Sequence, residues 1–312
     1  MSKLVKINPV LLRIVKVAFV MLLLYIIYHQ LNKAKAFNGE SIVLIEPIGL
    51  LIGFLLMPLN WTLEGLKWKS IIQKFQRRVG LKTLLFSLFT GISASLFTPN
   101  RAGNFVGRMI WFGSSLRVQV SVLSIYGNAA QWLSTIIFGA LGLILSNFFI
   151  FPEISKIYLI VSGLVIVGAL VLYFVPYLIP QFLSHYFFKR NMSHAARILK
   201  QHHNLKWELL IFSLFRHIIF SLQFALIMYA FGFDFNLDLI YAVWITYFAT
   251  TLLPSPLFGK LLLRESAALL VIGTLSDNST AILLSSVILW FINLSIPAIL
   301  GGIIWLKWRP LN

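Results

Sequence analysis

The chain has 312 residues, 59% of them hydrophobic and 11% charged, and its 26 Lys and Arg against 9 Asp and Glu give a net charge of +17. Soluble domains carry about 25% charged residues, so lipid must solvate most of this surface, and the cations have to be tested against membrane topology before nucleic acid is invoked as a partner. Cysteine is absent, which excludes disulfides, thiolate metal sites and thiol nucleophiles.

At roughly 20 apolar residues per crossing the chain has room for about six to eight spans and no sizeable soluble domain. Lys3, Lys6, Arg13 and Lys16 precede the first apolar run, and no small-residue cleavage site follows Tyr25 to Gln30, so that run is expected to remain as a first helix. Six full crossings are predicted near Leu12 to Leu31, Ile42 to Leu63, Val120 to Ser146, Ile157 to Ile179, Trp207 to Phe231 and Ala281 to Lys307. Thr83 to Ser114 and Leu237 to Gly273 are also apolar, but proline, glycine and charge break each in its middle. Such a break exposes backbone polar groups that lipid does not satisfy, so each region is expected to form a re-entrant broken-helix hairpin lined by protein or water.

With the N-terminus in the cytoplasm, this plan puts most Lys and Arg in inside loops, including Lys67, Lys69 and Lys74 after the second helix and Lys189, Arg190, Arg197, Lys200 and Lys206 before the fifth. Only Lys33, Lys35 and Lys156 fall outside, as the positive-inside rule requires. Both termini are therefore expected in the cytoplasm, with the chain in the cell's inner or plasma membrane. Arg101, Arg108, Arg216, Lys260 and Arg264 remain, all at membrane depth. A cation at the centre of a spanning helix costs about 2.5 to 3.5 kcal/mol on insertion scales, so these residues need an anionic partner or water.

The two broken regions lie over each other. Phe97-Thr98-Pro99-Asn100-Arg101-Ala102-Gly103-Asn104-Phe105-Val106-Gly107-Arg108 and Leu253-Pro254-Ser255-Pro256-Leu257-Phe258-Gly259-Lys260-Leu261-Leu262-Leu263-Arg264-Glu265 each run from an apolar half-helix through a proline corner to a glycine, and the spacing Gly103 to Arg108 equals Gly259 to Arg264. The order helix, helix, hairpin, helix also recurs. The expectation is thus a single all-α integral membrane domain over 1–312, with pseudo-repeat halves at about 10–150 and 155–308 inverted relative to each other. The hairpin tips would then meet near the midplane, as in secondary transporters whose broken helices aim at an anionic group.

At these segments, and at Leu66-Lys67-Trp68-Lys69, the chain resembles the transmembrane domain of lysylphosphatidylglycerol synthetases and their stand-alone, flippase-like relatives, over roughly residues 10 to 308. The resemblance implies movement of an aminoacylated phospholipid between leaflets. Two departures stand out: Asn104 occupies a position where the family usually has an acid, and Leu257-Phe258-Gly259 replaces a glycine pair. The synthetases' soluble acyltransferase domain has no counterpart before Asn312, so lipid aminoacylation is not expected of this chain alone.

The expected function is lipid translocation, with an anionic phospholipid or polyprenyl-phosphate headgroup held by Arg101, Gly103, Asn104, Arg108, Gly259, Lys260, Arg264 and Glu265. Arg216 is read as a third arm of the site or as a buried arginine satisfied by carbonyls or Glu265. Because i and i+1 side chains on a helix do not face each other, Glu265 is expected to pair with Lys260 or a cation of the first hairpin. His185, His194, His202 and His203 show no metal-ligand spacing, and neither metal nor cofactor is expected. Trp61, Trp68, Trp207, Trp305 and Trp308 are assigned to the interfacial aromatic belt. Membrane lipids are the expected partners, nucleic acid is not, and a homo-oligomer or a separate lipid-modifying enzyme stays open. The alternatives are a membrane enzyme acting on a lipid phosphate and an accessory subunit of cell-envelope glycolipid synthesis.

Overall fold

The computed structural model describes residues 43–74, 79–96, 98, 103–112, 114–146, 155–175, 203–252 and 259–306. The first expected crossing (12–31), Arg101, the corners 99–102 and 253–258, and His185, His194 and His202 lie outside the described residues. All regular structure among the described residues is helical.

Helix α1 spans Pro47–Ile72 and starts on a proline, whose fixed φ and missing N–H suit the first helical turn. It ends nine residues beyond the Leu63 read from hydropathy, so Glu64, Lys67 and Trp68 belong to the helix and not to a loop. The reason is local neutralisation, since Lys67 Nζ lies 2.9 Å from Glu64 Oε2 one turn away. Helix α2 (Leu81–Leu96) and the short α3 (Gly103–Met109) form the first broken region. Helix α4 covers Ser114–Leu145, α5 Ser155–Phe174 and α6 His203–Ala230. Helices α7 (Leu237–Leu252) and α8 (Gly259–Val271) form the second broken region. Helix α9 (Ser279–Trp290) runs through a π turn at Phe291–Ser295 into α10 (Ile296–Leu306). Pro297 has no N–H to give the carbonyl four residues back, and Ile296 N bonds Phe291 O instead, which widens the turn.

Among the described residues, four segments are long and apolar enough to cross a membrane: Pro47–Ile72, Leu123–Leu145, Asn204–Ala230 and Ser279–Trp305. The apolar part of α5, Ile160–Phe174, is shorter, as are Leu81–Ser95 and Leu237–Thr251 in the broken regions. Leu51, Leu55, Ile160, Leu164 and Val167 are exposed on the outside of the bundle, the distribution that a lipid-solvated surface requires.

Small residues let the helices approach closely. A Cβ on Gly49 of α1 would stand 2.4 Å from Leu226 O of α6, and one on Gly301 of α10 would stand 2.0 Å from Phe89 O of α2. The arms of the first broken region fold back on each other, because a Cβ on Gly103 would meet Ala94 O at 2.3 Å and one on Gly107 would meet Thr90 O at 2.3 Å. Thr90 Oγ1 also donates to Gly107 O at 2.7 Å, and Thr98 Oγ1 accepts from Gly103 N at 2.6 Å at the start of α3. Helices α7 and α8 pack against each other in the same order. Helix α2 also packs against α10, and α7 against α4.

Lys206, expected in a cytoplasmic loop, is instead buried in the first turn of α6. Its Nζ donates to Phe174 O at 3.0 Å, while Tyr173 Oη donates to Lys206 O at 2.8 Å and joins the ends of α5 and α6.

Candidate functional site

Among the described residues, the densest charge cluster surrounds Glu64 of α1. Arg108 of α3 donates from Nη2 to Glu64 Oε1 at 2.6 Å, and Arg216 of α6 donates from Nη1 to Glu64 Oε2 at 3.0 Å. Lys67 Nζ completes the set on Oε2. Residues from three separate helices thus converge on one carboxylate, and all but Arg216 are nearly inaccessible, with side-chain exposures of 3% for Lys67, 5% for Arg108, 9% for Glu64 and 19% for Arg216.

The local sequence explains how these groups reach one another. Asn60, Glu64 and Lys67 recur every three or four residues and share one face of α1. Arg108 crosses α2 at Gly91, where a Cβ would stand 2.6 Å from the arginine Cγ and 3.0 Å from the Asn104 carbonyl. Its guanidinium carbon lies 4.7 Å from the centre of the Trp68 ring, a cation–π contact that adds to the ion pair. Trp68 is fully buried and donates from Nε1 to Ser87 Oγ at 2.7 Å. It belongs to this cluster and not to the interfacial belt, whereas Trp207 and Trp305 are exposed as a belt requires.

Amide side chains extend the cluster across the bundle. Arg216 Nε donates to Asn60 Oδ1 at 2.9 Å and its Nη1 reaches Gln131 Oε1 at 3.4 Å. Asn60 Nδ2 donates to Asn293 Oδ1 at 2.6 Å, Asn293 Nδ2 to Gln223 Oε1 at 3.1 Å, and Gln223 Nε2 to Gly53 O at 3.0 Å. The π turn thereby places Asn293 between α1 and α6.

The second broken region makes a separate pair. Arg264 donates to Ser286 Oγ from Nε at 2.8 Å and to Ser286 O from Nη2 at 2.7 Å, anchoring α8 to α9. Its Nη2 also lies 3.2 Å from Glu265 Oε1, so adjacent residues do pair here. The long arginine chain curls back far enough to offset the divergent directions of i and i+1. Glu265 is buried, and its Oε2 has no hydrogen-bond partner among the described residues.

Gly103 and Gly259 open α3 and α8, each with its arginine five residues on, as the sequence comparison expects. Arg108 and Arg216 share Glu64, and Asn104 contributes its backbone carbonyl beside Gly91. No hydrogen bond or ion pair among the described residues joins Arg264 or Glu265 to that cluster. Lys260 lies in the first turn of α8, with its side chain outside the described part. Sequence reasoning missed Glu64, Lys67 and Trp68, although the Glu64 to Lys67 spacing of three on an apolar helix was the available signal. The resemblance drawn above expects an acid after Gly103. Here that position is Asn104, and the carboxylate facing Arg108 comes from α1.

This arrangement is that of a multi-pass α-helical membrane protein with a buried, cation-rich ion cluster between its helices. Residues 13–302 match the model of the lysylphosphatidylglycerol synthase TM region, and the chain belongs to that family. No curated protein and no solved structure matches it.

Proposed function

We propose that this protein moves a phosphate-bearing lipid across the membrane, and that Arg108, Arg216 and Lys67 receive the headgroup phosphate. The observation that carries this reading is the charge balance at Glu64, where three cations, Lys67 and Arg108 buried and Arg216 partly so, share one carboxylate. Buried charges are ordinarily matched, and a surplus of guanidinium donors is what a phosphate oxygen requires. Arg108 Nε adds a buried donor without an acceptor among the described residues.

The inverted-repeat reading draws support from the helices that open at Gly103 and Gly259 and from the exchange of α2 and α7 between halves. In this account the broken regions are re-entrant, Arg101, Lys260, Arg264 and Glu265 face the path of the headgroup, and one half rocks against the other to expose the site alternately. Both termini are cytoplasmic. An enzyme acting on lipid phosphate ranks below this reading because it needs a free base, and both oxygens of Glu64 are engaged by cations.

The test is reconstitution of the purified chain into vesicles with a fluorescent anionic phospholipid and a membrane-impermeant quencher. Wild-type protein is expected to expose inner-leaflet lipid, and Arg108→Gln to slow this by tenfold or more. Equal rates for the two proteins would remove the cluster from the mechanism, and no transfer by the purified wild-type chain would favour an accessory role.

A further inference from the structure

The charge count at Glu64 carries information about the headgroup itself. From its geometry we infer that the cluster is matched to a lipid phosphate monoester, which carries two ionisable oxygens on its terminal phosphate, in preference to the phosphodiester of an ordinary phospholipid. The inference rests on the reading of the cluster as a lipid-phosphate site and narrows its substrate class.

Lys67, Arg108 and Arg216 bring three formal positive charges to one negative charge on Glu64. Among the described residues, the further side-chain hydrogen-bond partners of these cations are neutral, Asn60 and Gln131. Glu265 of the second broken region, the other buried carboxylate among the described residues, is paired with Arg264. Two positive charges are therefore uncompensated among the described residues. A phosphate monoester carries about −1.5 to −2 near pH 7 and presents three acceptor oxygens. A diester carries a single charge and would leave the cluster positive.

The donors match in the same way. Arg108 Nε and Trp61 Nε1 are buried N–H groups with no acceptor among the described residues, one beside Gly91 and the other one helical turn from Glu64. Each needs a lone pair that the described residues do not provide, and a buried donor left unmatched is costly. Arginine forks, not point-charge lysines alone, face the site, and their planar geometry fits the oxygens of a terminal phosphate bidentately.

The experiment measures binding of phosphatidic acid and phosphatidylglycerol with identical acyl chains to the full chain in detergent at pH 7.4, with inorganic phosphate as competitor. Phosphatidic acid is expected to bind at least tenfold more tightly, and millimolar inorganic phosphate to displace it only weakly. Lys67→Gln and Arg216→Gln should each bring the ratio of the two affinities toward one. Comparable affinities, both lost in Arg108→Gln, would overturn the monoester preference while leaving the lipid-phosphate site standing. Binding of both lipids that ignores Arg108 would sink the site and the preference together, and free phosphate competing at the lipid's own concentration would assign the cluster to a soluble ligand. The comparison on wild-type protein decides the matter even if a variant fails to fold.

Discussion

Arg108 reaches Glu64 at 2.6 Å from 44 positions away, and the contact exists only because Gly91 leaves room for the arginine stem between α2 and α3. The ion pair therefore depends on a helix contact as much as on charge. Gly91→Ala is expected to displace Arg108 without altering a single charged residue. Lipid transfer should fall nearly as far as in Arg108→Gln, while the protein still elutes as a folded species on size exclusion. Transfer at the wild-type rate would show that Arg108 need not lie where the structure puts it.

Removing the carboxylate strands three cations. Breaking one partner of a buried ion pair costs about 3 to 5 kcal/mol, so Glu64→Gln should lower the thermal midpoint in detergent more than Arg216→Gln does. In the double variant Glu64→Gln/Arg108→Gln one unmatched charge is gone, and part of the loss should return. Additive losses in the double variant would mean that the two residues do not interact.

The amide chain from Arg216 to Gly53 passes through Asn293 in the π turn. Asn293→Leu keeps the branched outline but leaves Asn60 and Gln223 each short of a partner, at about 1 to 3 kcal/mol per unsatisfied buried group. Amide hydrogen exchange should quicken around Phe291 to Ile296 and over the facing turns of α1 and α6. If protection there stays at the wild-type level, the chain of amides does not hold these helices together.

Much of this architecture is visible in the amino-acid pattern, because apolar runs and their proline and glycine interruptions report directly on what lipid tolerates. The starts of α3 and α8 at Gly103 and Gly259, and the burial of Arg108 and partial burial of Arg216, follow from that logic. Glu64 and Lys67 escaped it for a physical reason. A hydropathy window scores each charge as exposed, whereas a pair at i and i+3 cancels within the helix and lets it run on to Ile72. Asn60, Gln131, Gln223 and Asn293 were equally silent, since a single amide in an apolar helix leaves no periodic signal. Their meaning comes from partners on other helices.

Orientation is open to a direct check because the chain has no cysteine. Single cysteines at Ser193 and Ser276 should be labelled by an impermeant maleimide from opposite faces of sealed vesicles. Labelling from one face would contradict the arrangement in which both termini are cytoplasmic.

The central claim is that a lipid phosphate shares the Glu64 cluster, and a structure of the protein in phosphatidic-acid nanodiscs, enlarged by a bound antibody fragment, addresses it most directly. The account predicts headgroup phosphate density within hydrogen-bonding distance of Arg108 and Arg216. Density confined to the outer surface of the bundle, with the cluster closed around Glu64 alone, would contradict it.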